Sequence, residues 1–409
     1  MPDLRRMLPP RPDATATAFI CATFLTGIAS ALQTPTLSLF LSGTLHADAA
    51  MVGLFYVFSA LIGIAVSQGL AAYSDRISQR NSLILKCCLI GAGGCLMYAL
   101  VRSYLVLLIA GSMLLSMGSA ANSQIFALAR EYADQSGREA ALFNALLRAQ
   151  ISLAWVAGPP LAFMLALGFG FRVMYGCAAL VFILCGTLTW HALPRLQKAP
   201  RAHPARREAV TAPRRAPQRD ILLLSLTFAL LGTSNCLYLI NMPLYLAHDL
   251  HQPARWAGWL MGCAAGLEIP VMLLAGLWSR RVGKRRLVQT ALLAGLLFYP
   301  TLLLAQHLWQ LLALQLLNAL FVGITAGIGM PYFQDMMPGR AGSATTLYSN
   351  AMRCGWIVAG GLTSVLAQTM GYRTVFGAAF LLALLSLCCL QCIGRPLPLF
   401  YGNLRPRQA

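Results

Sequence analysis

Acidic residues are scarce in this chain. Twelve Asp and Glu stand against 31 Lys and Arg in 409 residues, and charged residues make up 11% of the sequence, where soluble domains carry about 25%. That shortage excludes an ordinary water-soluble domain. Histidine is sparse too, with six copies scattered along the chain, and apart from 194–219 no long polar segment separates the apolar runs. An enzyme built into a membrane needs a sizeable loop or a His/Asp cluster near the interface to carry its catalytic groups. Neither is present, so no enzyme activity, cofactor or metal is expected.

What is abundant is apolar. Hydrophobic residues make up 58% of the chain. Nearly uncharged runs of roughly 20 residues, long enough to cross about 30 Å of hydrocarbon, fall near 16–43, 51–72, 83–101, 104–127, 139–168, 172–193, 220–247, 255–279, 286–305, 308–333, 342–370 and 373–393. The expectation is an all-α membrane protein with twelve transmembrane helices. The first run is too long for a signal peptide and has no small-residue cleavage site, so it is expected to stay in the membrane. Nearly all twelve cysteines lie in or at the ends of these runs. They read as small apolar packing residues, and the CxxC of Cys389 and Cys392 lacks the His or redox context of a metal or thiol site.

A net charge of +19 raises nucleic acid as a partner, but the placement of the cations argues otherwise. They concentrate in the N-terminus, the C-terminus and every second loop; the loops of opposite parity hold only Arg102, Arg172, Arg255 and Arg373, and Arg148 and Arg353 lie inside spans. This is the positive-inside pattern. It puts both termini on the cytoplasmic side, requires an even number of spans, and leaves no reason to invoke nucleic acid.

The Pro-, Arg- and Ala-rich stretch 194–219 has no hydrophobic period and divides the spans six and six. It reads as a disordered linker between a first half at 1–193 and a second at 220–393, with a tail at 394–409. The halves repeat with a shift of about 205 residues: AAYSDRISQR at Ala71–Arg80 aligns with GLWSRRVGKR at Gly276–Arg285, Pro35 with Pro243, and Asn144, Arg148 and Trp155 with Asn350, Arg353 and Trp356. Two parallel six-span repeats meeting at a midplane site are the architecture of the major facilitator carriers.

Three spans carry the candidate chemistry. On the fifth, Asn144, Arg148, Ser152 and Trp155 share one helical face. A pyranose has an apolar C–H face for an aromatic ring and a rim of hydroxyls for planar donors, so this set fits a sugar. The alternative is that Arg148 neutralises an acid or caps carbonyls nearby and Trp155 packs. On the eighth, Glu268 is the one acid at mid-membrane, opposite a stripe of Gly258, Gly262 and Gly266 that lets helices approach closely. Pro270 leaves the Gly266 carbonyl without its helical partner. Glu268 is suited either to proton coupling or to a fixed ion pair with Arg148 or Arg353. On the eleventh, Asn350, Arg353 and Trp356 are the repeat partners of the fifth-span set. Gln33 with Thr26 and Ser30, Asn122, and Asn235, Tyr238 and Asn241 complete a polar, uncharged cavity, although each alone is more often a helix–helix hydrogen bond.

The loop after the second span resembles the G-x-x-x-D-R-x-G-R-R signature of the major facilitator superfamily. Asp75, Arg76 and Arg80 fit it; the second copy keeps Gly276, Gly283 and Arg285 but has Arg280 at the acid position. The resemblance implies that Asp75, Arg76, Arg80, Gly283 and Arg285 gate the carrier rather than bind substrate. Gly158-Pro159-Pro160 resembles the exporter G-P motif without its flanking glycines. Four segments are similar to bacterial sugar efflux transporters: FLTGIASALQTPTLSLFL (Phe24–Leu41), SLAWVAGPPLAF (Ser152–Phe163), AAGLEIPVMLLAG (Ala264–Gly276) and GMPYFQDMMPGRAGSATTLYSNAMRCGWIVAGG (Gly329–Gly361). The resemblance implies a monomeric exporter of glucose, lactose and related glycosides in the bacterial inner membrane, driven by proton antiport. Arg148, Trp155 and Glu268 also resemble, in type, spacing and helix number, the sugar site of the lactose/proton symporter. That protein's tenth-helix His and Glu are replaced here by Gln315 and Asn318. A multidrug/proton antiporter for small amphipathic compounds is the alternative; it calls for an aromatic-rich cavity with an acid in the first, fourth or seventh span, where this chain has amides.

Overall fold

The computed structural model describes residues 14–74, 80–136, 140–194, 216–338 and 340–394, all built from helices and short connections. Asp75 and Arg76 lie outside the described residues, and so does the side chain of Asn144. The helices, numbered by span, are α1 (Ala14–Gln33, resuming as Leu37–Thr44), α2 (Ala49–Ser74), α3 (Arg80–Leu100) and α4 (Tyr104–Val106, one wider turn at Leu107–Gly111, then Ser112–Ser136). They continue as α5 (Ala140–Gly168), α6 (Phe171–Ala192), α7 (Gln218–His248) and α8 (Arg255–Val282). The last four are α9 (Lys284–Leu304), α10 (Leu308–Met336), α11 (Ala341–Met370) and α12 (Tyr372–Cys392). Eleven are long and apolar enough to cross a membrane. The twelfth, α11, has 30 residues; it carries Asn350, Arg353 and Gln368, the polarity expected of a helix that faces a cavity rather than lipid.

The repeated prolines act differently in the two halves. Pro35 interrupts α1, because proline gives no N–H to the preceding turn and its ring crowds that turn's carbonyl. The Thr36 hydroxyl covers the break by donating to the Leu32 carbonyl at 2.9 Å. Pro243 instead stays within a continuous α7.

Within each half the helices pack as repeats of one another: α3 lies on α4 and α6 as α9 lies on α10 and α12. Small residues allow this. A Cβ on Gly91 of α3 would lie 2.7 Å from the Gly118 Cα of α4. The halves join mainly through two helix pairs, α2 with α11 and α5 with α8, with a smaller contact of the Leu37–Thr44 segment of α1 on α7. Both joints lie toward the end remote from the N-terminus. There Gln368 accepts from the Ala50 amide at 3.3 Å, Ser364 donates to the Ala50 carbonyl at 2.9 Å, and a Cβ on Gly360 would fall 2.7 Å from the Gly53 carbonyl oxygen. On the other joint, Gly258 and Gly262 of α8 abut the Pro159 and Val156 carbonyls, at 2.8 and 2.7 Å from where a Cβ would stand. Nearer the opposite end Arg148, Ser123, Ser349 and Asn350 are exposed. Polar groups there face a water-filled gap rather than lipid, so the gap opens toward the end that carries the N-terminus and the segment between the halves.

At that end each half is tied by an ion pair, its cation one position apart in the repeat, Arg80 in the first and Lys284 in the second. Arg80 Nε meets Glu131 at 2.8 Å while Nη1 reaches Ser74 and Gln124 at 2.6 and 2.9 Å. In the second half Lys284 pairs with Asp335 and donates to the Pro331 carbonyl at 3.1 Å. The first pair is 12% and 26% exposed, whereas Asp335 is 61% exposed. Breaking the sheltered pair leaves groups without partners and is expected to cost about 3 kcal/mol; the solvated pair is worth about 0–1 kcal/mol. Thermal unfolding in detergent should therefore place Arg80→Gln well below Lys284→Gln, and equal midpoints would contradict this ranking.

Candidate functional site

A cavity of ≈ 470 Å³ lies where α1, α2, α3, α4 and α6 of the first half meet α11 of the second. Its wall mixes hydroxyls with apolar and aromatic side chains, Leu115, Tyr98, Tyr175 and Phe182 among them. Ser30, Ser59, Ser67, Ser112, Ser116, Ser119 and Ser123 all line it, with Gln33 and Thr34 at the break in α1. The four serines of α4 follow a spacing of i, i+4, i+7 and i+11, which puts them on one helical face. Ser59 and Ser112 bond to each other at 2.7 Å across α2 and α4. Gln33 donates to the Ala29 carbonyl at 2.7 Å, which leaves its amide oxygen free to accept.

From the other half, α11 contributes Arg353 and Trp356, one turn apart. The Arg353 guanidinium donates to Ser67 Oγ on α2. The Trp356 indole stacks on Tyr56 of α2, with ring centroids 5.9 Å apart and planes 18° from parallel. This stack sits one turn inside the Gly53–Gly360 contact. Among the described residues no carboxylate lines the cavity, and Arg353 is its one charged lining residue. The arrangement offers apolar ring faces, many neutral hydroxyls and one fixed cationic fork, chemistry that suits a neutral or anionic polyhydroxy compound rather than a cation.

The structure divides the expected site residues. Gln33, Arg353 and Trp356 come together in the cavity. Arg148 and Asn350 are exposed in the open gap, with the Arg148 guanidinium 6.0 Å from the Phe126 ring. Trp155 and Asn235 are half-buried and line neither this cavity nor an apolar cleft of ≈ 520 Å³ beside α5 and α8. Asn122 accepts from the Thr26 hydroxyl at 3.4 Å. Tyr238 and Asn241 stand apart from the cavity in this conformation. Both are buried, Tyr238 donating to Gln315 at 3.1 Å and Asn241 to Thr363 at 2.8 Å, so in this conformation they tie helices together. Periodicity gives the same signal for a polar group facing a gap and for one facing a neighbouring helix.

Glu268 is half-buried. Among the described residues it forms no ion pair with Arg148 or Arg353, so the fixed-pair alternative is not met in this conformation. Its carbonyl packs toward Gly323 of α10, 3.2 Å from where a Cβ would stand. Of the expected gating residues, Arg80 forms the pair described above. Gly283 joins α8 to α9 at φ +87°, a backbone region that favours glycine, and Arg285 caps α12 by donating to the Gln391 carbonyl at 3.0 Å. The acids Glu131 and Asp335 and the serines of α2 and α4 are absent from the expected residues. The spacing of the α4 serines is the signal that marks them.

The chain matches the family model of the Major Facilitator Superfamily over residues 19–240 and 222–399. It is 57% identical to sugar efflux transporter A of Dickeya chrysanthemi over 89% of this chain and 92% of that one. It is 53% identical to sugar efflux transporter B of Salmonella typhimurium over 92% and 95%. Among solved structures it is similar to the nucleoside transporter NupG, with a TM-score of 0.76 and 13% identity over 93% of this chain and 98% of that one; that likeness shows the fold alone. Twelve long helices in two repeated halves, with these relatives, settle its membership: the chain belongs to the bacterial sugar efflux transporter family of the major facilitator superfamily.

Proposed function

We propose that this chain exports sugars, with glucose, lactose and related glycosides as substrates, by alternating access in the bacterial inner membrane. The observation that carries the reading is the cavity wall: seven serine hydroxyls, Gln33, the Arg353 fork and the Tyr56–Trp356 stack. A multidrug/proton antiporter site would add an acid to such aromatic walls, and among the described residues no carboxylate lines this cavity. The relatives named as sugar efflux transporters support the same substrate class. The positive-inside pattern puts both termini in the cytoplasm, so the described conformation, open toward the N-terminal end, is the one that loads sugar for export. The six-helix units at 1–193 and 220–393, joined by 194–219 and followed by the tail at 394–409, rock against each other as one monomer.

Proton antiport supplies the drive, and Glu268 is the group that carries the proton. It is a membrane-embedded acid without an ion pair among the described residues, and such a group is costly there unless it serves a pathway. Everted membrane vesicles energised by respiration should accumulate radiolabelled lactose, and a protonophore should abolish the accumulation. Glu268→Gln is expected to lose that accumulation while retaining lactose exchange between equal pools, because exchange needs no net proton movement. No uptake above empty-vector vesicles would count against sugar export. Accumulation by Glu268→Gln at the wild-type level would remove Glu268 from the coupling.

A further inference from the structure

We propose that the cavity takes acidic sugars, those carrying one carboxylate, in preference to their neutral counterparts, with Arg353 as the carboxylate's partner. This rests on the sugar-export reading and deepens it. The argument is one of charge balance. Arg353 lines the cavity, and its contact is the neutral hydroxyl of Ser67. Among the described residues no carboxylate lies within ion-pair distance of it. Glu131 is engaged with Arg80 and Asp335 with Lys284, both near the mouth of the gap, and Glu268 on α8 neither lines the cavity nor pairs with Arg353 in this conformation. Arg148, the other cation facing the gap, is exposed and does not line this cavity. In the open conformation water solvates these charges. When the gap closes over a substrate that solvent is lost, and an enclosed guanidinium without an anion is destabilising.

A substrate carboxylate supplies the missing charge. One guanidinium edge is engaged by Ser67, and the fork has donors left for two parallel N–H···O bonds to a carboxylate. The ring hydroxyls of the same molecule keep the serines of α2 and α4, and its C–H face keeps the Tyr56–Trp356 stack. The match is to a single negative charge. A phosphorylated sugar brings nearly two, more than Arg353 neutralises, and an amino sugar brings the wrong sign.

The test is titration calorimetry on the purified full-length protein at pH 7 with D-galactose, D-galacturonate, D-galactosamine and D-galactose 6-phosphate. Galacturonate is expected to bind about tenfold or more tightly than galactose, the size of a charge-assisted pair. The margin should shrink as salt rises. Galactosamine should bind more weakly than galactose, and the phosphate should show no gain over galacturonate. Arg353→Gln, checked for folding by size exclusion, should erase the acid preference; Arg353→Lys should keep part of it. Galacturonate binding no tighter than galactose, or a preference unchanged in Arg353→Gln, overturns the proposal. A phosphate that binds tighter than galacturonate overturns its single-charge form. Binding is read without transport, so failure of lactose export in vesicles would strike the exporter reading and leave this outcome to be decided separately.

Discussion

Gly360→Val is expected to cut lactose transport by about tenfold or more, whereas Gly361→Val next to it should transport at close to the wild-type rate. The two residues differ in what a side chain would meet. At Gly360 a Cβ would stand 2.7 Å from the Gly53 carbonyl oxygen and 2.9 Å from the Val57 nitrogen on α2; at Gly361 nothing lies within 4 Å. Backbone atoms cannot move aside as a flexible side chain can. Overpacking of this kind costs about 1–3 kcal/mol, which lowers the population of the closed joint about 5- to 150-fold. A carrier that cannot close this end cannot present an empty cavity to the cytoplasm, so the cycle stalls while the protein still folds. Gly258→Val, which meets the Pro159 carbonyl on the other joint, should behave like Gly360→Val. Wild-type exchange of lactose by Gly360→Val vesicles would show that the α2–α11 contact is not the gate.

The second large effect is expected at Arg353. Its guanidinium is the one charged group on the cavity wall among the described residues, and hydrogen bonds from a charged donor are worth about 1.5–3 kcal/mol. Arg353→Gln should therefore lower lactose kcat/KM about 10- to 150-fold. Arg353→Lys should recover little for a neutral sugar, because an ammonium is a point charge and cannot span two hydroxyls as the planar fork does. Ser67→Ala, which removes the hydroxyl that holds the fork, should cost about 1 kcal/mol, or roughly fivefold. Initial rates in everted vesicles over a range of lactose concentrations measure all three. A Gln variant within twofold of wild type would mean that Arg353 serves the joint between α2 and α11 and not the sugar.

The fold was legible because hydrocarbon imposes a simple rule. Every span must be long, apolar and helical, and the cations then mark one side. The repeat was legible for a related reason: corresponding regions of the halves do similar work, as the Arg80–Glu131 and Lys284–Asp335 pairs show. Yet the acid halves of those pairs went unassigned, since nothing in the spacing of Glu131 ties it to Arg80 across 51 residues. The α4 serines were legible in principle, but single serines are common in membrane helices and become a site only when α2 and α11 face them.

Chain order and composition alone determined the membrane class, the two halves, the basic side and the helices that carry polar groups. Tertiary structure decided which of those groups meet. Tyr238 and Asn241 read like cavity residues, yet they close on Gln315 and Thr363. Arg353 and Trp356 read as partners of the fifth span, yet they meet Ser67 and Tyr56 of the second. The physical reason is that a polar residue in a membrane must face something polar, and the sequence records that need without naming the neighbour. The neighbour is set by where backbones come closest, and here that is at Gly53, Gly258, Gly262 and Gly360.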